Sequence, residues 1–488
     1  MVHVASGTGV LHGRIKTPDR RSAEKRGHRR REMVKGEVHN FSRGSIPRNI
    51  MSLALPMTAA QLINVLYSVV DRVYLGRLPG HLALTGLGLT IPIVSIIMGF
   101  ANLCGTGGAP LCSIKRGQGD NEEAERVLGN AFTLLLIFGA AVTAVFLWFK
   151  QPLLYLFGAS DATYPYADAY MTIYLLGTIF VMIGLGMNPF ITAQGFGGVG
   201  MMTVGLGALV NIVLDPIFIF GMGMGVRGAA LATVIAQGCS ALWVLRFLTG
   251  QRAILRLRVR NMALCAPRVR SIVTLGLSGF FMNLTNSLGQ VVCNATLQAY
   301  GGDLYVGVMT IINSLREVFF MPVQGLSNGA QPVTGYNYGA GQYSRVRRSI
   351  RFSVAVTVAY AAAFWAVAML FPGMLIRVFN NEPEVVEAGI PALRIYFCLF
   401  IPMSLQMAGQ GVFVGLGRSK QAIFFSLLRK AVINAPLTVI LPIWIGTTGV
   451  FTAEAVSQLI GGLACILTMY FTVYRPLGSL PDQPLERV

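Results

Sequence analysis

Two acidic residues stand in stretches otherwise fit for lipid: Asp71 in "NVLYSVVDRVYLGRLPG" (Asn64–Gly80) and Asp215 in "VNIVLDPIFI". A carboxylate inside a bilayer costs about 2.5–3.5 kcal/mol on insertion scales, so it is usually paired, protonated or turned toward a water-filled cavity. Residues three and four apart share a helical face. Asn64 and Tyr67 therefore fall on the stripe of Asp71, and Asn211 on the face of Asp215. Pro216 supplies no N–H, which opens the helix ladder and leaves carbonyls free for water or a cation. Such a set suits either of two ions. A proton needs only a carboxyl whose charged form is disfavoured by burial. Na⁺, a hard cation, prefers the oxygen cluster that Asp71, Asp215 and Asn211 would offer. The competing reading makes Asp71 a partner of Arg72 or a helix cap, although adjacent residues point about 100° apart on a helix. For Asp215 it makes "LDP" a helix-breaking turn.

The other acids in apolar runs are Glu317 and Glu454, with Asp168 nearer a helix end. Glu317 either faces a substrate cavity, as Asn64 would from the first half, or is held by Arg316 or Arg394. Glu454 comes early in the last apolar run and reads as an interfacial cap. With acids rather than bases expected at the cavity, a phosphate-bearing cargo fits less well than a cationic one. Catalytic constellations are missing: the chain has no H-E-x-x-H, no G-x-S-x-G and no GxxxxGK[ST]. That excludes the familiar hydrolases and direct drive by ATP, and no enzyme is expected. The seven cysteines lie scattered with no C-x-x-C pair, so zinc and disulfide frameworks are not expected. No cofactor is called for beyond a coupling ion, H⁺ or Na⁺.

These residues need helices to hold them in lipid. The chain is 12% charged, against about 25% for soluble domains, and its mean hydropathy is +0.61. Apolar segments fall at roughly 47–75, 86–112, 129–149, 163–187, 200–221, 228–248, 272–298, 305–333, 350–371, 386–412, 421–444 and 450–472. Runs of about 20 apolar residues span a bilayer as helices. The fold class is thus an all-α integral membrane protein with twelve spans.

The net charge of +19 is mainly a topology signal rather than a nucleic-acid footprint. Lys115, Arg116 and Arg126, the arginines of 252–270, Arg345 to Arg351, Arg418, Lys420, Arg429 and Lys430 fall on one side. The other side has little beyond Arg77, Lys150, Arg227 and Arg377. The positive-inside rule then puts both termini in the cytoplasm. Residues 1–46 are basic and polar without an apolar h-region. They read as a disordered tail, as residues ahead of a start at Met33, or as an arm touching anionic lipid or nucleic acid.

A shift of the chain by about 220 residues brings its halves into register. "GGAPLCSIKRGQG" then falls on "NGAQPVTGYNYGAG", Phe157 on Phe379, and Pro216 on Pro436. The expected units are a bundle over 47–248, a basic linker over 249–271, a bundle over 272–472 and a tail over 473–488. Six spans per half make the repeat parallel, and two facing bundles are what alternating access requires. No repeated filter loop argues for a channel.

In this setting the sequence resembles the multidrug and toxic compound extrusion (MATE) family, especially its MepA-like bacterial branch. The resemblance runs from about Phe41 to Pro476. It rests on "FSRGSIPRNIMSLALPMTAAQLINVLYSVVDRVYLGR", "NIVLDPIFIFGMGMGVRGAALATVIAQ" and "GLSNGAQPVTGYNYGAG", in that order. It implies a V-shaped twelve-helix fold in the plasma membrane and cation-driven antiport of amphipathic, often cationic drugs. By the same resemblance, Asp71 and Asp215 are the first-half coupling acids, with Tyr67, Asn211 and Thr233 beside them. The seventh segment, "GFFMNLTNSLGQVVCNATLQAY", carries no acid, and the tenth carries Arg394 where one is sought, so no second-half cation site is expected. The alternative is a flippase for lipid-linked precursors within the same superfamily. Nothing in the sequence calls for a nucleic acid or for more than one chain.

Overall fold

The computed structural model describes residues 41–76 and 86–484. Residues 1–40 and 77–85, with Arg77, lie outside the described residues, as does the side chain of Arg72. Among the described residues the secondary structure is helical, without strands. Nine helices are long and apolar enough to cross a membrane, and two bent pairs supply two further spans. The run Ala266–Gly339 is two helices merged across Gly302, whose φ of +64° suits a residue without Cβ, and this brings the spans to twelve.

In chain order these are α1 (Ile46–Gly76), α2 (Ile91–Gly117), α3 (Asn121–Leu156) and α4 (Tyr164–Leu176 and Thr178–Ala193, bent by 58°). Then come α5 (Gly197–Pro216), α6 (Val226–Thr249), and α7 and α8 over 266–301 and 303–339. The chain finishes with α9 (Tyr343–Leu370), α10 (Pro383–Phe397 and Phe400–Gly415, bent by 44°), α11 (Ser419–Leu427 onward) and α12 (Thr447–Met469). Wide π turns follow α5 at Ile217–Gly221 and interrupt α11 at Leu428–Asn434. Such turns shift the helical register and recur at functional sites. Proline explains the first, because Pro216 has no N–H to continue the ladder.

The two halves meet through glycine. A Cβ at Gly107 would strike the carbonyl of Ile272, and one at Gly276 that of Leu103, so α2 and α7 cross with backbones in contact. Gly117 lies against Tyr336 and Gly339 against Ile114, while Gly325 and Gly329 on α8 admit Thr58 and Ala54 of α1. Close packing of small residues drives helix association in lipid, where apolar burial contributes nothing between helices. These approaches sit toward the end of the molecule that carries the basic loops. At that basic end Arg116 stacks between Phe41 and Tyr336, at 5.6 and 5.2 Å from their ring centres. Gly276→Ala is expected to lower thermal stability by about 1–3 kcal/mol, read by unfolding in detergent. Gly307→Ala, with open space around it, is expected to leave stability nearly unchanged.

One expectation changes here. Residues 41–46, read as the end of a disordered tail, are packed. Phe41 is fully buried, and its carbonyl accepts from Asn337 Nδ2 at 3.1 Å and Arg345 Nη2 at 2.8 Å. A lone aromatic after a basic run gives no local sign of the pocket that receives it. The basic linker, for its part, is docked on the first half. Glu125 accepts from Arg256 N at 3.0 Å and Asn261 Nδ2 at 3.2 Å, and Gln194 Oε1 accepts from Leu255 N at 2.8 Å.

Candidate functional site

The candidate coupling residues come together in the first half, where α1, α4, α5 and α6 converge. Asp215 is wholly buried and Asn211 nearly so. One turn apart on α5, they are joined by Asn211 Nδ2, which donates to Asp215 Oδ1 at 3.3 Å. The same amide points toward Thr233 Oγ1 at 3.4 Å, and that hydroxyl donates to the carbonyl of Ala229 at 2.9 Å. Asp71 on α1 brings its carboxyl against that of Asp215. Tyr67, one turn below, lies close to both acids. Asp215 Oδ2 and Asn211 Oδ1 receive no N–H or O–H from the described residues. Two carboxyl groups therefore meet at one place, with a buried amide one turn away. Carboxylates and amide oxygens accept only, so their contact calls for a proton or a hard cation between them.

Sequence reasoning missed two residues of this site. Tyr170 and Tyr174 on α4 stack with ring centres 5.9 Å apart, and the Tyr170 hydroxyl contacts Thr233. Their spacing by four in "YADAYMTIYLL" was the available signal, but such pairs are common in ordinary packing. Asp168, on the same helix, is accounted for by Lys150, whose Nζ lies 2.8 Å away.

Between the halves lies a cavity of about 540 Å³, lined by Tyr67, Asn211 and Thr233 on one side and Gln324, Asn328 and Gln410 on the other. Asn64 lines it as well, as expected. Asp71 and Asp215 stand behind Tyr67 and Asn211. The wall is amide and methionine, a mixture that donates, accepts and adapts in shape without fixed charge. A second chamber of about 400 Å³ shares Gln61, Asn64, Gln324 and Gln410 with it. Glu317 is exposed on the wall of this chamber, and no ion pair among the described residues holds it, neither with Arg316 nor with Arg394.

The second half departs from expectation in three ways. Glu454 is not an interfacial cap but is buried, with Lys430 Nζ 2.9 Å from both carboxylate oxygens and Arg429 Nη1 3.5 Å from one. Arg429 and Lys430, counted among the loop charges, face inward at the π turn of α11. The chamber wall carries Arg316, Arg429 and Lys430 beside the expected acid Glu317, so bases outnumber acids there. A hydropathy window cannot tell a basic pair ending a loop from one buried a turn further on.

Fold and site define the class: an α-helical membrane protein of two pseudo-symmetric six-helix bundles around a shared polar cavity. The MatE family model matches the chain twice, over residues 56–217 and 279–440, once in each half. The chain belongs to the MatE family. It is similar to the multidrug export protein MepA of Staphylococcus haemolyticus, 25% identical over 440 residues that cover 90% of this chain and 95% of the relative. MepA of Staphylococcus aureus (strain NCTC 8325 / PS 47) is 24% identical over 439 residues, covering 89% and 96%. Among solved structures, a crystal structure of a MATE in the bent conformation superposes with a TM-score of 0.85 at 23% identity, covering 91% of this chain and 98% of the other.

Proposed function

We propose that this protein is a multidrug efflux transporter of a bacterial plasma membrane, exchanging H⁺ or Na⁺ for amphipathic, often cationic compounds. The observation that carries the reading is the contact of the Asp71 and Asp215 carboxyls beside Asn211. The neighbouring Tyr67, Asn211 and Thr233 side chains line an open cavity. The relatives named multidrug export proteins support the cargo class. In this reading both termini are cytoplasmic, following the basic loops. The chain acts as a monomer, and its bundles, 47–248 and 272–472, rock about the glycine crossings near the cytoplasmic end.

The cation acts as co-substrate. With the cavity open outward, it occupies the space between Asp71 and Asp215 and removes the repulsion of two buried charges. Helix α1 contains Pro56, whose missing N–H lets the helix bend there. The upper half of α1 carries Tyr67 and Asp71, so closing the acid pair draws this half toward α5 and narrows the cavity. Cargo leaves outward, and reorientation then releases the cation inside. Coupling needs only that the cation bind the two states with different affinity.

The test uses the purified chain in proteoliposomes with ethidium. Ethidium should move against its gradient when either a proton gradient or a sodium gradient is imposed, and the effective gradient names the ion. Absence of movement under both would overturn the assignment.

A further inference from the structure

The coupling mechanism leaves the charge cluster of the second half unused. Glu454 takes two hydrogen bonds from Lys430 and a longer approach from Arg429. Arg316 on α8 completes the group, close to Glu454 and to the buried Tyr396 ring. The Nε–H groups of Arg316 and Arg429 are buried without an acceptor among the described residues. Even with exposed Glu317 counted, three cations face two carboxylates. Uncompensated buried charge is costly, and removal of a partner from such groups costs several kcal/mol. All three cations line the 400 Å³ chamber, which opens into the amide-lined cavity.

The repeat sharpens the contrast. With Gln237 laid on Gln458, Thr233 falls opposite Glu454. In the first half that place holds a neutral hydroxyl beside two acids, and in the second an acid clamped by bases. Acids thus stand behind the amide-lined cavity in the first half, while bases outnumber acids on the adjoining chamber. Guanidinium forks match the planar oxygens of carboxylate and phosphate, and an ammonium adds a point charge.

We propose that Arg316, Arg429 and Lys430 form a subsite for the anionic group, carboxylate or phosphate, of an amphiphilic cargo whose body lies in the amide-lined cavity. This deepens the transport reading and rests on it. A zwitterionic compound then sets its anionic group on these bases and its body in the amide-lined cavity, and Glu454 keeps Lys430 in place as a positioning residue.

The experiment compares two dyes on the purified full-length chain by fluorescence polarisation: rhodamine 110, with a free carboxyl, and rhodamine 123, its methyl ester. The acid is expected to bind about tenfold more tightly or better, the size of one hydrogen bond to a charged group. Arg316→Gln should remove most of that preference, and Arg316→Lys should keep part of it. Equal affinities, preference for the ester, or binding of neither dye overturns the subsite. The parent protein's acid-to-ester ratio decides the matter even where a variant fails to purify. Displacement of rhodamine 110 by decanoate or by decyl phosphate supports the subsite and tells a soluble carboxylate from a lipid-like phosphate, whereas displacement by neither overturns it. Ethidium export in proteoliposomes is scored separately. Export without the acid preference sinks the subsite alone, and the preference without export sinks the transport reading alone.

Discussion

Asp215→Asn is expected to bring concentrative ethidium export to background, and Asp71→Asn to do the same. The substitution is close to isosteric and keeps the hydrogen bond with Asn211, so the fold should persist. What it removes is the second negative charge, and with it the difference in cation affinity between the two states. Coupling free energies of about 1–3 kcal/mol correspond to roughly 5–150-fold in affinity, so a loss of tenfold or more in the export ratio is anticipated. Because the carboxyls act as one unit, the double variant should be no worse than either single one. Measured ethidium binding should persist in all three, because the acids stand behind the cavity wall rather than on it. Export that survived either substitution would make the pair structural.

Glu454→Gln is expected to be the most destabilising single change in the second half. It removes the only carboxylate in contact with buried Lys430 among the described residues and leaves Arg429 without its partner. Breaking a buried pair from one side costs about 3–5 kcal/mol, because the remaining charge stays buried. The midpoint of thermal unfolding in detergent should fall sharply. Joint replacement of Glu454 and Lys430 by methionine should recover part of the loss, since only Arg429 is then left without its partner. A Glu454→Gln protein as stable as its parent would mean that water or lipid already reaches the cluster.

Much of the fold was legible because hydropathy is a local property. Twelve apolar runs, read one at a time, match twelve described spans, with boundaries that move by as much as a turn or two. The repeat was legible for the same reason, since order and spacing survive where identity does not. Within the site, the stripes Tyr67–Asp71 and Asn211–Asp215 followed from helical geometry on single helices. Thr233 came from resemblance alone. The structure reports it in contact with Asn211 and Tyr170, a meeting of three helices that no spacing encodes.

The sequence by itself determined which residues had to be helical, where charge was too costly to be accidental, and that the chain is one plan used twice. Tertiary structure alone decided which charges face which. The contact of Asp71 with Asp215 depends on how α1 lies on α5, and the burial of Arg429, Lys430 and Glu454 on how α11 turns against α12. A side chain's cost in lipid is set by its own chemistry and can be read residue by residue. Its compensation comes from partners distant in the chain, and only the packed helices supply them.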